Sequence, residues 1–429
     1  NQVSFRAEVI PHGSRISCGC VTYFSRLRSR LPLAASCVWK QDGARQPCFV
    51  EQLTTPDAMT SGVIHVAVTG GAGQIAYSLI PLLARGHVFG PNVRVHLRLL
   101  DIPVAKESLC GVAMEIQDSV YGLLDGVIAT THAEEAFKHS HVVILLGGFP
   151  RKPGMERRDL IEKNIPIMKS MGQALEVHAC RDVKVLVVAN PANTNCLVVA
   201  ANAPSLPREN FTCLTRLDQD RLTGLLAARA AVPAAAVRGA IVWGNHSGSQ
   251  VPDVSAAEVC MGGIWQPARH VIGDDAWLQG DLVQQVRTRG AAVIQARKLS
   301  SALSAANAIA AHLRDWKCAP TASTPVPAAA AAAALAAPPL PPPPESATVI
   351  SMGVWSDGNP YGVPPGLVCS LPVVCAGEGR WAVAGGRDMG PELREQLRET
   401  VRELEEERAV AEEIVGSSLK GGAVVTATA

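Results

Sequence analysis

The stretch Val63-Ile-His-Val-Ala-Val-Thr69-Gly70-Gly71-Ala-Gly73-Gln-Ile-Ala76 decides the fold. Six of its first seven residues are β-branched or apolar and predict a short buried strand. Three glycines follow, and apolar spacing over 74–84 then predicts a helix. Strand, glycine turn and helix in immediate succession suit an α/β protein whose first turn faces a ligand.

The same alternation continues outward. Residues 93–100 read as a second strand, with Leu97, Leu99 and Leu100 apolar. Residues 108–124 predict a helix from Leu109, Val112, Ile116 and Val120 at spacings of three and four. The apolar runs 142–146 and 183–188 predict strands buried on both faces, joined by a helix over 158–180. The expected architecture is a doubly wound parallel sheet with right-handed crossovers. Further on, 299–316 reads as a helix and 349–354 as a strand. Residues 391–415 read as a charged helix, with Leu393, Leu397, Val401 and Leu404 on one stripe and Glu and Arg opposite. That helix is expected to pack on its own domain.

Composition narrows the function classes. The chain has 429 residues, 48% hydrophobic and 18% charged, enough for two or three domains with a sizeable core. Lys plus Arg is 39 and Asp plus Glu is 38, for a net charge of +1, which argues against a nucleic-acid partner. No apolar run is long enough to expect a membrane-spanning helix. The 12 cysteines are scattered and suit reduced thiols better than a disulfide framework.

Two segments stand apart. Residues 1–62 are Arg-rich, acid-poor and without periodicity, and the first methionine is Met59. They fit either a transit peptide or a leader that is not native coding sequence, and are expected to be disordered. Residues 318–346 carry seven alanines (328–334) and a proline run, expected to form an expanded surface loop. A flexible tail is expected over 417–429.

The chemistry-bearing residues sit at predicted strand ends. Gly71-x-Gly73-x-x-Ala76 fits a dinucleotide fingerprint: the turn lets backbone approach a pyrophosphate, and the helix start supplies free N–H groups. Asp101 ends the next strand, 28 residues after Gly73, where the usual gap is about 20. Its carboxylate would accept bonds from ribose hydroxyls and repel a 2′-phosphate, favouring NAD over NADP. Arg151-Lys-Pro-Gly-Met-Glu-Arg157 predicts a closing loop with two bracketing cations. Asn190 and Asn193 follow another strand end. Asp218 and Arg221 lie in Thr-Arg-Leu-Asp-Gln-Asp-Arg, and His246 in Trp-Gly-Asn-His-Ser. An imidazole moves a proton near neutral pH, a buried carboxylate can orient it, and arginines grip carboxylates through two bonds each.

These motifs resemble the malate dehydrogenases, specifically the cytosolic NAD-dependent type. The likeness runs from about Ile64 to Glu413. It includes Gly-Ala-Gly-Gln-Ile-Ala-Tyr (71–77), Pro-Ala-Asn-Thr-Asn-Cys (191–196), Arg-Gly-Ala-Ala-Val-Ile (289–294) and Ser-Asp-Gly-Asn-Pro-Tyr-Gly (356–362). The resemblance implies a Rossmann doubly wound parallel sheet over 63–213 and a C-terminal α+β substrate domain over 214–416. It also implies a homodimer in the cytoplasm, with plastid or mitochondrion as the alternative should residues 1–58 be a transit peptide.

By the same resemblance, His246 would be the proton donor and acceptor, and Asp218 its partner. Arg157 would polarise the carbonyl, Arg221 would clamp the adjacent carboxylate, and Arg151 the distal one. Asn190 would touch substrate and nicotinamide ribose. Gly70, Gly71, Gly73, Gln74, Ile75, Asp101, Asn164, Val188 and Ser301 would complete the NAD site, and no metal is expected. Met171 stands where the family has a glutamine. A lactate dehydrogenase would share the His, Asp and two arginines but lack an Arg at 151. A scaffold keeping the fold and gaining contacts through its Ala/Pro loop is a further alternative. A light-regulated NADP enzyme fits poorly, because the tail after Glu413 has no cysteine and Asp101 opposes NADP.

Overall fold

The computed structural model describes residues 62–150, 154–318, 348–416 and Leu419. The expected disordered leader, the Ala/Pro loop and the tail beyond 419 lie outside the described residues, as does Arg151.

The first half alternates as its sequence predicts. In chain order it comprises β1 (Val63–Thr69), α1 (Gln74–Ala84), β2 (Arg94–Leu100), α2 (Lys106–Asp118), β3 (Leu124–Thr130), α3 (Ala133–Phe137), β4 (Val142–Leu145), α4 (Arg157–His178), β5 (Lys184–Val187), α5 (Ala192–Ala201) and β6 (Phe211–Cys213). After α6 (Arg216–Arg229) come five short strands: β7 (Val237–Arg238), β8 (Ile241–Trp243), β9 (Val251–Asp253), β10 (Glu258–Met261) and β11 (Ile264–Pro267). Four helices follow, α7 (Ala268–Ile272), α8 (Asp275–Gln279), α9 (Asp281–Arg297) and α10 (Leu303–Cys318). The chain closes with β12 (Val349–Trp355), β13 (Val368–Gly377), β14 (Arg380–Val383) and α11 (Pro391–Val415).

Among the described residues the main sheet has nine strands, ordered β14-β13-β12-β6-β5-β4-β1-β2-β3. The run β6-β5-β4-β1-β2-β3 is parallel, the Rossmann order with its reversal between β1 and β4. Strands β12, β13 and β14 extend that sheet antiparallel, so the second half is built onto the first. The join is Gly353 of β12 against Cys213 of β6, where a Cβ on 353 would fall 2.0 Å from the Cys213 Sγ. Only glycine lets those strands meet.

Strand periodicity sorts the core into two layers. Val66, Val68, Val142, Ile144 and Leu186 face one cluster with α1, α2, α10 and part of α11. Ala67, Val143, Leu145, Val185 and Val187 face the other, with α4 and α5. Residues pointing alternately to two buried faces are what continuous apolar runs require. A third cluster joins α6, α9 and the short strands.

Three sequence expectations need correction. The helix read over 108–124 ends at Asp118: Val120 has φ 48 and is 84% exposed, and 124–130 pairs as β3 on β2. Val120 continued the apolar spacing, but the sheet edge claimed the residues after it. The helix read from 299 begins at Leu303, because Lys298 is left-handed and ends α9 first. Finally, α11 packs on α4 and α5 as well as on β9 and β13, so it spans both halves of the chain.

One polar cluster makes the fold sensitive to acid. His65, His96 and His141 gather around the buried Arg98 at the amino ends of β1, β2 and β4. Burial, then the Arg98 charge, pulls His65 and His96 down to about 4. Fully buried His312 on α10 is pulled down to about 3, again mainly by burial. In the unfolded chain these imidazoles titrate near about 6.5, so between roughly 4 and 6.5 the unfolded state holds more protons. Stability therefore rises with pH across that window and is lost as pH falls through it. We expect Tm to drop steadily from pH 6.5 to pH 5, and a His65→Gln/His96→Gln variant to flatten that slope. An unchanged slope in the double variant would remove these histidines as its source.

Candidate active site

The β1–α1 turn forms a cradle for an extended phosphate ligand. Gly70 sits at φ 65, and a Cβ on Gly71 would come within 2.8 Å of the Leu99 Cβ and 2.9 Å of the Leu109 Cδ1. Gly73 caps α1 without a side chain, leaving the first amides of that helix open, and Gln74 is exposed while Ile75 is half-buried. Asp101 ends β2 beside the turn: the Ala72 amide donates to its Oδ2 at 2.9 Å and the Ile102 amide to its Oδ1 at 2.8 Å. A carboxylate has about four acceptor positions, so two remain for a ligand. Across the crevice the Gly147 amide donates to Thr69 Oγ1, tying the end of β4 to the end of β1. Val188 is half-buried and Asn190 exposed at the carboxyl end of β5.

Asn164 departs from its expected role. It is fully buried on α4, with its Oδ1 accepting from the Phe149 amide and its Nδ2 donating to Phe149 and Leu160 carbonyls. All its polar atoms are spent on backbone, so it holds the loop after β4 and does not present its amide to a cofactor. Met171, in place of the expected glutamine, packs against the core around α4 and α5.

The second part of the site is a proton-relay geometry. Asp218 lies in the first turn of α6 and is fully buried. Its Oδ2 bonds His246 Nδ1, and its Oδ1 accepts from Arg221 Nη1 at 3.0 Å. The imidazole is one-fifth exposed and keeps its Nε2 for a ligand. Gly290 of α9 faces Arg221, where a Cβ would lie 3.7 Å from Nη2. Ser301 is half-buried in the stretch before α10. The structure thus brings His246, Asp218 and Arg221 together. Arg157, the first residue of α4, joins them indirectly: its Nε donates to Glu407 of α11, which also binds the side chain of Asn245.

Asn193, noted in the sequence at a strand end, holds this site together with residues that the sequence does not single out. Asn193 Oδ1 accepts from the His246 amide at 2.9 Å, and its Nδ2 donates to the Val368 carbonyl. Thr400 accepts from the Asn245 amide, and Glu403 takes the Ser247 hydroxyl at 2.6 Å. The acids of α11 read as a solvent face, yet Glu407 is 4% exposed. A signal for it exists: Thr400, Leu404, Glu407 and Ala411 recur at three and four, so Glu407 falls on the apolar stripe. Among the cysteines whose side chains are described, none forms a disulfide. Burial pushes the Cys196 and Cys213 thiols well up and Cys369 to about 12, so these three are neutral bystanders.

The chain is similar to known proteins over nearly all of the described residues. Residues 64–212 match the family model for the lactate/malate dehydrogenase NAD binding domain, and 215–415 that for the lactate/malate dehydrogenase alpha/beta C-terminal domain. A malate dehydrogenase of Nicotiana tabacum is 46% identical over 82% of this chain and 98% of its own length. The cytoplasmic malate dehydrogenase of Rattus norvegicus is 45% identical over 83% and 99%. Among solved structures, malate dehydrogenase from Naegleria fowleri matches with TM-score 0.72 at 38% identity, over 82% of this chain and 98% of that one. The Trichomonas vaginalis lactate dehydrogenase in complex with NADH and oxamate matches with TM-score 0.73 at 34% identity, over 82% and 99%.

The cradle can be tested directly. Gly71→Ala must push Leu99 or Leu109 aside or shift the turn, breaking the Ala72–Asp101 bond. We expect NADH affinity, read by fluorescence titration, to fall by about tenfold, the loss of roughly one hydrogen bond to a charged group. Wild-type affinity in this variant would show that the turn is not the cofactor's cradle.

Proposed function

The chain belongs to the lactate/malate dehydrogenase family, and we propose that it interconverts (S)-malate and oxaloacetate with NAD. The observation that carries this reading is Asp218, fully buried and bonded at once to His246 Nδ1 and Arg221 Nη1. A carboxylate so placed fixes the imidazole tautomer and the orientation of the ring. The residues present fit NAD: an open helix start, a turn with no room for a Cβ and an acid beside it. When bound, NAD supplies the acceptor for the hydride that leaves the malate C2.

The side chains divide the remaining work. His246 Nε2 takes the hydroxyl proton as the carbonyl forms and returns it in the reverse reaction. Asp218 stabilises the imidazolium without taking the proton itself. Arg221 pairs with the carboxylate next to the reacting carbon, and Arg157 polarises the C2 oxygen with donors aimed at its developing charge. Arg151 takes the distal carboxylate, and Asn190 reaches both substrate and ribose. Gly70, Gly71, Gly73, Gln74, Ile75, Asp101, Val188 and Ser301 line the cofactor. Asn164 contributes through the Phe149 backbone it holds. The domain division at 213 and 214, a homodimer and a cytoplasmic setting complete the proposal. Relatives named as cytoplasmic malate dehydrogenases support the last.

His246→Asn should leave NADH binding nearly intact and lower turnover by roughly 10²–10⁴, the span of general acid–base help. Turnover within a few-fold of wild type would take the proton role away from this residue.

A lactate dehydrogenase among the matching structures makes substrate choice the second test. Pyruvate offers no partner for Arg151, and enclosing that charge alone is costly. Arg151→Gln should therefore lose most oxaloacetate activity and gain some with pyruvate, while Arg157→Gln should harm both. Comparing kcat/KM for the two ketoacids across the three proteins decides it. A parallel loss on both substrates in Arg151→Gln would mean that Arg151 does not select the distal carboxylate.

A further inference from the structure

Glu407 is an acid inside the protein, on the stripe of α11 that otherwise carries Leu397, Val401 and Leu404. Three elements supply its donors. Arg157 Nε at the start of α4 and Asn245 Nδ2, at 2.7 Å, share its Oε1, and Thr194 Oγ1 of α5 takes its Oε2. An acid this far from water persists only because these donors, one of them a cation, replace its hydration.

The geometry has two consequences for the site. A guanidinium is a rigid plane, so bonding Nε fixes where the two terminal nitrogens point. Arg157 Nη2 is buried without a hydrogen-bond partner, so the bond to Glu407 runs through Nε alone. The same Oε1 binds Asn245, whose neighbour is His246. One carboxylate oxygen thus sets the arginine plane and anchors the turn that carries the imidazole. Glu403, one turn earlier on α11, sits 3.4 Å from Arg157 Nε and binds Ser247. It reinforces the same two attachments.

We propose that Glu407 is a positioning residue for the reaction, holding Arg157 and the His246 turn in register through a single buried carboxylate. This rests on the reading that Arg157 touches substrate. The proposal assigns α11 a part in catalysis although none of its side chains meets the reacting atoms. A misplacement of about 1 Å between catalytic groups can cost about 10² in rate, so a shared anchor for two of them matters.

The test is a double-mutant cycle on the full chain with oxaloacetate and NADH. Glu407→Gln keeps the size and loses the charge. It should lower kcat by roughly thirtyfold, within that cost of misplacement, and change NADH affinity and the KM for oxaloacetate little. In an Arg157→Gln background the same substitution should cost clearly less, under about tenfold, because one of the two groups it positions is gone and only the His246 turn remains to be misplaced. Equal losses in both backgrounds, or near-wild-type kcat in Glu407→Gln alone, would overturn the proposal. A purely structural role would give equal losses and would not separate kcat from KM. Should Glu407→Gln fail to fold, Glu407→Asp takes its place in the cycle, keeping the charge and withdrawing the carboxylate by one methylene. A kcat loss that shrinks in the Arg157→Gln background again supports the proposal, and equal losses or an unchanged kcat again overturn it. The underlying reading fails separately: Arg157→Gln at wild-type turnover would remove Arg157 from the substrate whatever Glu407 does.

Discussion

A carboxylate sealed from water needs bonds on both oxygens, and the site is arranged around meeting that need at Asp218. His246 answers one oxygen and Arg221 the other. Asp218 and Arg221 lie one turn apart on α6, so the helix alone sets their spacing. His246 must be brought from a separate turn. That turn is held by Asn193 on its amide, by Thr400 and Glu407 through Asn245, and by Glu403 through Ser247. Removing either partner of Asp218 would leave a buried charge uncompensated, which costs far more than the pair's net stabilisation.

The continuous sheet is what permits this arrangement. The crevice between β1 and β4 is a product of strand order, and the glycine turn opens into it. Joining β12 to β6 at Gly353 lays the second half against the first. The Gly244 backbone then pairs with Ser370 of β13, directly before the His246 turn. Helix α11 packs on α4 and α5 and bonds that turn through Thr400, Glu403 and Glu407. The dinucleotide cradle and the proton relay are therefore fixed to one framework.

Sequence pattern and structure agree where one element suffices. Gln74–Ala84 and Pro391–Val415 have the bounds that apolar spacing predicts. They part at 119–130, where Val120 continues a helical pattern and pairing of β3 on β2 overrides it. They part at Asn164, since a motif position says that an amide is present but not which way it faces. The most instructive difference is on α11, whose acids read as a solvated face. The stripe containing Leu404 includes Glu407, and a charge on an apolar stripe signals a buried partner elsewhere in the chain.

By itself the sequence determined the strand–turn–helix cradle, the alternation that builds a parallel sheet and the residue types of the relay. Those depend on backbone preferences and side-chain periodicity within about a dozen neighbouring residues. Only the tertiary structure decided that Asp218 meets His246 across 28 residues and that Arg157 meets Glu407 across 250. Such contacts depend on which faces remain apolar after the sheet closes and on which buried charges must then find partners. Neither condition exists until the two halves have packed.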